Sequence, residues 1–319
     1  MFACSLVDDD TKDCDGTLTM DYELRLVTNL TTELETHLSM ETEATLIQSI
    51  RKYLEPVFTD RPYDVELEFY DMQGASPLMY HESHVMDASQ SSYTLYVPVR
   101  DYMHLAIANL SSVPSLSLEG DDFCGTAKLS QEVKDTISPH KAGVFTARLP
   151  MYIKENENQK FDVHLYMANC VSVFMADTTG SNIRDMKVFT GGFASDFEIR
   201  DSVYHYSNTP VMRTDRIAVN EGGNMVFASV SFPSLPGVES KSDGDGKDQV
   251  LWQIRCYATT AAGTVTETVM GVSEPLAPGD LKLIRAKLHD DGSISTDDTT
   301  IGISVILDWQ PGTDHDVVF

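Results

Sequence analysis

The sequence predicts an all-β protein built from β-sandwich domains. Three observations support this fold class. Many short segments alternate apolar and polar residues with the period of a strand, Gly- and Pro-containing turns separate them, and strong helical periodicity is confined to one segment. The regular alternation of strands and helices that a parallel α/β sheet requires is missing from the pattern. Short strands punctuated in this way are typical of sandwiches.

The strands are predicted in chain order from their period-two alternation. In the first of them, Leu18, Met20, Tyr22, Leu24 and Leu26 form one apolar row. The same reasoning predicts strands at 18–26, 65–69, 93–99, 104–110, 161–167, 170–174, 225–232, 250–259, 264–272, 280–288 and 301–309.

The strongest helical segment runs from residue 41 to residue 54, between two strands. Leu46, Ile50 and Leu54 fall on one face of such a helix, and Pro56 stops it. A short helix inserted in the first half of the chain is therefore predicted.

The chain has 319 residues, which suggests about two domains. A domain boundary is predicted at Leu149-Pro150, and a second, weaker helical segment is predicted at 130–136. The expected division is an N-terminal segment and linker at 1–14, a first sandwich at 15–150 and a second sandwich at 151–319.

The charge of the chain disfavours two classes of partner. Its 23 Lys and Arg residues against 49 Asp and Glu residues give a net charge of −26. Nucleic-acid binding depends on basic residues that neutralise phosphates, and an anionic lipid surface attracts the same residues. No apolar run approaches the roughly 18 residues of a membrane-spanning helix.

No enzyme motif is evident. The sequence contains no GxSxG, P-loop or GxGxxG signature. A hydrolase on a β-sandwich would need two close carboxylates in a cleft, and the abundance of acidic residues singles out no pair. The chain is therefore expected not to be an enzyme, with no catalytic residue, no cofactor and no small-molecule substrate.

Two segments resemble metal-binding motifs without completing one. His81 and His84 lie three residues apart but have no evident third ligand. The loop that starts at Asp243 carries Lys247 where a calcium loop needs an oxygen ligand, and Ile254 where it needs Glu. No metal site is predicted.

Two groups of aromatic residues could either contact a glycan or pack in the core. Tyrosines in strands more often pack with the hydroxyl at the rim of the core, so packing is the default. The two groups are Tyr204, His205 and Tyr206, and Tyr93, Tyr96 and Tyr102.

The cysteines and the N-terminus suggest export. Ala3-Cys4 followed by an acidic polar stretch looks like the end of a bacterial lipoprotein signal, whose Cys is acylated, although the preceding charged and apolar regions are cut short. The four cysteines that then remain are either buried free thiols or two disulfides. The pairs would be Cys14 with Cys124 and Cys170 with Cys256.

Several segments together carry a family resemblance. They are the Ala3-Cys4 start with Cys14 before the first strand, VELEFYD at 65–71, YTLYVPVRDYMHLAIANL at 93–110, LAPGDL at 276–281 and ISVILDW at 303–309. The whole pattern resembles the anchor-subunit family of Bacteroidales-type fimbriae, the fimbrillin-associated (FimB-like) lipoproteins. The tail after Trp309 departs from that pattern.

The resemblance implies two tandem transthyretin-like Greek-key β-sandwich domains and a lipid on Cys4 that ties the chain to the outer membrane. It implies an anchor or assembly subunit of a fimbria, which limits fibre length and pairs with the fimbrillin stalk subunit by strand exchange. The first strand, 18–26, would be retained. The expected donor or docking residues are Ile303, Val305, Leu307, Trp309, Val317, Val318 and Phe319.

Two further interpretations stay open. One is a surface glycan-binding lipoprotein built of β-sandwiches, and the other is a tip or accessory fimbrial adhesin, because the subunits of such fimbriae share one fold. Exposed aromatic residues in one groove favour the glycan-binding interpretation, whereas a hydrophobic strand-acceptor cleft or a mobile C-terminal strand favours the fimbrial anchor.

Overall fold

The structure is a computed structural model. It describes residues 17–27, 44–57, 64–72, 78–85, 92–119, 128–132, 134–154, 159–219, 223–237 and 249–306. These residues form four β-sheets, one α-helix and one short 3₁₀ turn at Leu110–Ser112. The prediction of an all-β sandwich protein with a short helix in its first half is confirmed.

The first sheet has seven strands, in the spatial order β3-β2-β5-β9-β10-β1-β4. They are β1 (Thr17–Val27), β2 (Asp64–Asp71), β3 (Leu78–Val85), β4 (Ser92–Pro98), β5 (Asp101–Ala108), β9 (Phe145–Tyr152) and β10 (Lys160–Met167).

The second sheet has five strands, in the order β16-β17-β11-β20-β21. They are β11 (Cys170–Asp177), β16 (Asp215–Ile217), β17 (Asn224–Ser231), β20 (Leu281–Leu288) and β21 (Ile294–Ser295).

The third sheet has six strands, in the order β22-β19-β18-β12-β15-β8. They are β8 (Thr136–Ile137), β12 (Ile183–Gly191), β15 (Val211–Arg213), β18 (Trp252–Thr260), β19 (Val265–Val272) and β22 (Ile301–Ile306). The fourth sheet, in the order β14-β13-β7-β6, is small. It contains β6 (Leu116–Glu119), β7 (Lys128–Gln131), β13 (Asp196–Glu198) and β14 (Val203–His205).

The helix α1 (Ala44–Leu54) forms for the reason that its sequence predicts. Its apolar stripe, with Leu46, Ile50 and Leu54, is fully buried. At its end the chain turns, and the amide of Val57 donates to the carbonyl of Leu54. The stripe packs in a core shared by one face of the first sheet and one face of the second sheet.

The first and second sheets are each covered on both faces. In β11, Val171 and Val173 belong to the core that contains α1, whereas Cys170 and Phe174 belong to the core between the second and third sheets. The first sheet likewise faces α1 on one side and the small fourth sheet on the other. Strands buried on both faces read as nearly continuous apolar runs, as CVSVFMA in β11 does.

The first strand lies inside a sheet and not at its edge. Seven residues of β1, from Asp21, run parallel to β10, and seven, from Thr17, pair antiparallel with β4. The strand predicted at 18–26 is therefore in place between two neighbours, with β4 along its first seven residues and β10 along its last seven.

Leu149 and Pro150, where the domain boundary was predicted, lie within one strand. Pro150 lies inside β9, which pairs with β5 along its whole length but with β10 only through Phe145 and Thr146. A proline, which has no N–H to donate, is tolerated where one side of the strand has no partner. The first sheet continues through β10, and the second sheet begins with β11 at Cys170.

The weak helix predicted at 130–136 is wrong. That segment forms the end of β7, a bend, and the start of β8. In β7, Leu129 and Gln131 are buried, whereas Lys128 and Ser130 are half-exposed. This alternation has the period of a strand, and the pairing of β7 with β6 and β13 makes use of it. His81 and His84 lie in a strand, β3.

Candidate functional site

The last described strand, β22, forms an edge of the third sheet. It pairs antiparallel with β19 over six residues, from Ile301 opposite Val272 to Ile306 opposite Glu267. Among the described residues no strand lies on its other side. An edge strand offers a row of backbone N–H and C=O groups to another strand.

The start of β22 is firmly held. The carboxylate of Asp298 accepts hydrogen bonds from the amide (2.9 Å) and the hydroxyl (2.7 Å) of Thr300, and Lys282 Nζ lies 3.5 Å from it. Burial acts to raise the pKa of the Asp298 carboxyl, but these hydrogen bonds and the lysine charge lower the pKa overall. Ile301, which directly follows Thr300, is buried in the core between the second and third sheets.

The second half of β22 leaves the core. Ile303 and Val305 lie opposite Met270 and Thr268, which are fully buried, yet their own exposed fractions are 37% and 39%. They continue the row that Ile301 begins, at a place where the facing sheet no longer covers it. The sequence IGISVI carries no charge and no proline, the devices that usually protect an edge strand from pairing.

The ladder between β22 and β19 contains a weak pair. Gly302 lies opposite Gly271, so this position has no cross-strand side-chain contact. A Cβ at Gly271 would lie 2.7 Å from Val250 Cγ2, which accounts for the glycine there, whereas nothing lies closer than 4.0 Å to a Cβ at Gly302. The second position of β22 therefore adds no side-chain contact to the ladder.

The structure brings together two of the predicted docking residues. Ile303 and Val305 share one exposed row on β22. The other predicted docking residues lie outside the described part of the chain, as do the predicted lipidation residue Cys4 and two of the predicted disulfide cysteines. These are Leu307, Trp309, Val317, Val318 and Phe319, and Cys14 and Cys124.

Cys170 and Cys256 are free, buried thiols, so the predicted bond between them is corrected to the alternative that the sequence left open. They lie in β11 and β18, on the two sheets that face each other across one core. Burial raises the pKa of the Cys170 thiol to about 12, and it raises the pKa of Cys256 as well. Neither thiol is a reactive thiolate at neutral pH.

The predicted aromatic groups are packing residues where the structure describes them. The Tyr204 hydroxyl donates to Ala168 O (2.8 Å), and its ring stacks on Phe197 at 4.2 Å. The Tyr206 hydroxyl donates to Ser234 O, and that of the buried Tyr102 to Pro98 O. The side chains of Tyr93 and Tyr96 lie outside the description. Tyr102, Tyr204 and Tyr206 therefore do not form the sugar platform that the glycan-binding interpretation needs.

Sequence reasoning missed how β22 divides into a held half and an open half. The division depends on which residues of a facing sheet cover the strand, which no local pattern encodes. The one local signal is the pair of glycines, Gly271 and Gly302, each inside an apolar alternation.

Within the described ranges, no group of three or more His, Cys, Asp and Glu side chains is arranged to hold a metal ion. Within the same ranges, no helix has the length and apolar character needed to cross a bilayer.

Comparisons with known proteins find structural neighbours only. No protein-family model and no curated protein matches the chain. A candidate adhesin from Bacteroides ovatus superimposes with a TM-score of 0.54 at 9% identity, covering 93% of this chain and 97% of its own. A second candidate adhesin from that species gives 0.52 at 12% identity, with 92% and 99% covered.

A third neighbour comes from Bacteroides thetaiotaomicron. It is named a candidate polysaccharide-binding protein, and it superimposes with a TM-score of 0.51 at 10% identity, covering 89% of this chain and 97% of its own. At these identities the likeness establishes the fold alone. The chain therefore shares the overall fold of these Bacteroides proteins.

Proposed function

We propose that the protein is a cell-surface subunit of a fimbria that docks to a neighbouring subunit by strand pairing at β22. The single observation that carries this proposal is the open, uncharged edge of β22. On this strand Ile303 and Val305 are exposed, although they share a row with the buried Ile301. A partner strand beside β22 would pair its free backbone groups and cover both side chains. The fold, which two candidate adhesins share, and the sequence resemblance to fimbrial anchor subunits support the same function.

The partner is a different protein and not a second copy of this chain. At pH 7 each copy carries a net charge of −26, so two copies repel each other. The stalk subunit of the fimbria is the proposed partner. The segment that follows β22 would extend the docking strand beyond residue 306.

We further propose that the chain is the anchor at the base of the fibre. A diacyl or triacyl modification of Cys4 would hold it in the outer membrane, because two or more acyl chains give stable attachment. The position of β1 supports a basal role. Since β1 is already paired on both sides within the first sheet, that place in the sheet needs no strand from another subunit.

The double variant Ile303→Lys/Val305→Lys tests the docking edge. Two lysines at the exposed row place charge where a partner strand would bury apolar surface, so at least a fivefold loss of this protein from purified fimbriae is expected. The measurement is the ratio of this subunit to stalk subunit in the fibre fraction, by quantitative immunoblot.

Val203→Lys is the matched control. Val203 is 43% exposed on β14, an edge strand of the fourth sheet, and is as accessible as the two test residues. Its substitution should leave incorporation unchanged. Equal incorporation of the double-lysine variant and the wild type would remove β22 from the docking mechanism.

Cys4→Ala tests the anchor. The variant should move from the membrane fraction to the soluble fraction or the medium, because it lacks the acylated thiol. The measurement is detergent partitioning of the protein made in its native cells, with Cys170→Ser as the control, since that buried thiol takes no lipid. Membrane retention of Cys4→Ala at the wild-type level would show that Cys4 is not the attachment point.

A further inference from the structure

A depression lies on the outer face of the third sheet, away from the core. In β12 and β18, Val188, Ile254 and Cys256 point into the core between the second and third sheets. Their sequence neighbours Phe189 and Arg255 therefore point outward. The depression extends over β18, β12, β15 and β8, and its volume is about 330 Å³. This volume lies at the lower end of the range for small-molecule sites, roughly 300–1,000 Å³.

Gly191 forms the floor of the depression, and its backbone does not require a glycine. A Cβ placed on Gly191 would meet nothing closer than Gln253 Nε2, at 3.6 Å, which is ordinary contact. The adjacent Gly192 is different: its φ is +91°, and a Cβ there would lie 2.8 Å from Trp252 Cα. Gly192 therefore serves the fold, whereas the missing side chain at Gly191 leaves space on the outer face.

Aromatic rings line one end of this space. Phe189 and Tyr257 are half-buried and meet edge to face, with ring centroids 6.0 Å apart and planes at 79°. On the other side of the floor, Val211 of β15 is 41% exposed. The depression thus offers apolar surface that is open to solvent.

Polar groups converge on the same space. Gln253 pairs with Gly191 across the strands, and its Nε2 faces the floor. The residue is only 8% exposed, and its Oε1 is buried without a hydrogen-bond partner. Because a buried polar atom without a partner is costly, this amide has hydrogen-bonding capacity that the fold does not use.

Arg255 is held in place beside the amide. Its Nε lies 3.5 Å from Oε1 of Glu267, which is buried, and the Tyr257 hydroxyl hydrogen-bonds with both residues. The carboxylate offsets the guanidinium charge, so the site presents fixed N–H donors without a net positive charge.

These features together define the ligand class. We propose that this depression binds a neutral saccharide, with the C–H face of one sugar ring against Phe189 and its hydroxyls hydrogen-bonded to Gln253 and Arg255. A pyranose has an apolar C–H face and a rim of hydroxyls, which match an aromatic wall beside amide and guanidinium donors. An extended peptide fits less well, because β12 and β18 lie inside the sheet and offer no open edge for strand addition. Docking at β22 and saccharide binding here are independent of each other.

Affinity electrophoresis of the purified full chain tests the proposal. The gels contain mannan, xylan, galactan, dextran or mucin-type neutral O-glycans, with polygalacturonate as the anionic comparison. At least one neutral glycan is expected to retard the protein, and polygalacturonate is not. Retardation by none of the neutral glycans, or by polygalacturonate alone, would overturn the proposal.

Three variants locate the binding. Gly191→Val fills the floor with a residue that favours strands, and Phe189→Ala removes the aromatic wall; each should weaken binding at least tenfold. Gly191→Ala, which the geometry accommodates, should cause a smaller loss. Tyr166→Ala, at a tyrosine that is 59% exposed on β10, should bind like the wild type.

Thermal unfolding of each variant shows that its fold is intact. Wild-type affinity in folded Gly191→Val and Phe189→Ala would place any glycan elsewhere on the chain and refute the assignment. If Gly191→Val does not fold, the result for Phe189→Ala decides.

Discussion

A chain that lacks residues 1–27 is expected to lose its cooperative monomeric fold. The deletion removes β1 from between β4 and β10 and leaves two strands with seven unpaired positions each along the gap. At about 1 kcal/mol per hydrogen bond, the backbone pairing lost along two neighbouring strands is comparable with the total stability of a typical domain, about 5–15 kcal/mol. Circular dichroism on heating and size-exclusion chromatography measure the loss, which should appear as a missing transition or as aggregates.

Two controls separate this effect from simple truncation. A chain that lacks only residues 1–16 keeps β1 complete and should unfold at the wild-type temperature. Addition of a synthetic peptide of residues 17–27 to the longer deletion should restore the monomer, because it supplies the missing strand. A stable monomer without β1 and without the peptide would contradict the pairing described for the first sheet.

Lowering the pH from 7.5 to 5.0 is expected to destabilise the protein by about 4 kcal/mol through two buried histidines. Burial lowers the pKa of His104 and of His140 to about 3 each. The unfolded chain binds these protons with a pKa of about 6.5, so stability is greatest above that value and falls as the pH drops towards 3. Each histidine contributes about 2 kcal/mol over this interval.

Burial keeps both rings neutral, because a charged imidazolium would lose its hydration. The Glu68 carbonyl, 3.0 Å from His104 Nδ1, acts to raise the pKa of that ring, but burial outweighs it, and the ring stacks on Phe69 at 4.3 Å. Asn169 Nδ2 donates a hydrogen bond to His140 Nδ1 over 3.3 Å. The Nε2 atom of His140 is buried without a hydrogen-bond partner.

Urea unfolding at the two pH values measures the effect, since carboxylates titrate mainly below this interval. His104→Gln and His140→Gln should each remove about half of the pH dependence, whatever their effect on stability at pH 7.5. A double variant with the wild-type pH dependence would show that other groups take up the protons.

The element pattern of the fold was largely predictable, because period-two alternation is a local property of the sequence. The strand predicted at 18–26 is β1 (Thr17–Val27), and the helix predicted at 41–54 includes α1 (Ala44–Leu54). Prediction of strands from this alternation fails where a strand is too short to show it or where the composition interrupts it. The short strands β13 to β16 span only three residues each, and Pro150 interrupts the alternation inside β9.

The candidate sites were only partly predictable, because they depend on contacts between distant segments. Ile303 and Val305 were predicted as docking residues, but their exposure depends on where the facing sheet ends. The depression over Gly191 depends on the register of β12 with β18, so Gly191 and Gln253, more than 60 residues apart in sequence, become neighbours. A glycine inside an apolar strand pattern is the only local signal of that depression.

Photo-crosslinking at β22 tests the central claim most directly. The photoreactive amino acid p-benzoylphenylalanine is placed at Val305 in cells that assemble the fimbria, and at Val203 as the control. We expect a covalent adduct between this chain and the stalk subunit from Val305 and none from Val203. No adduct from Val305, or an adduct only between two copies of this chain, would contradict docking of a different subunit at this edge.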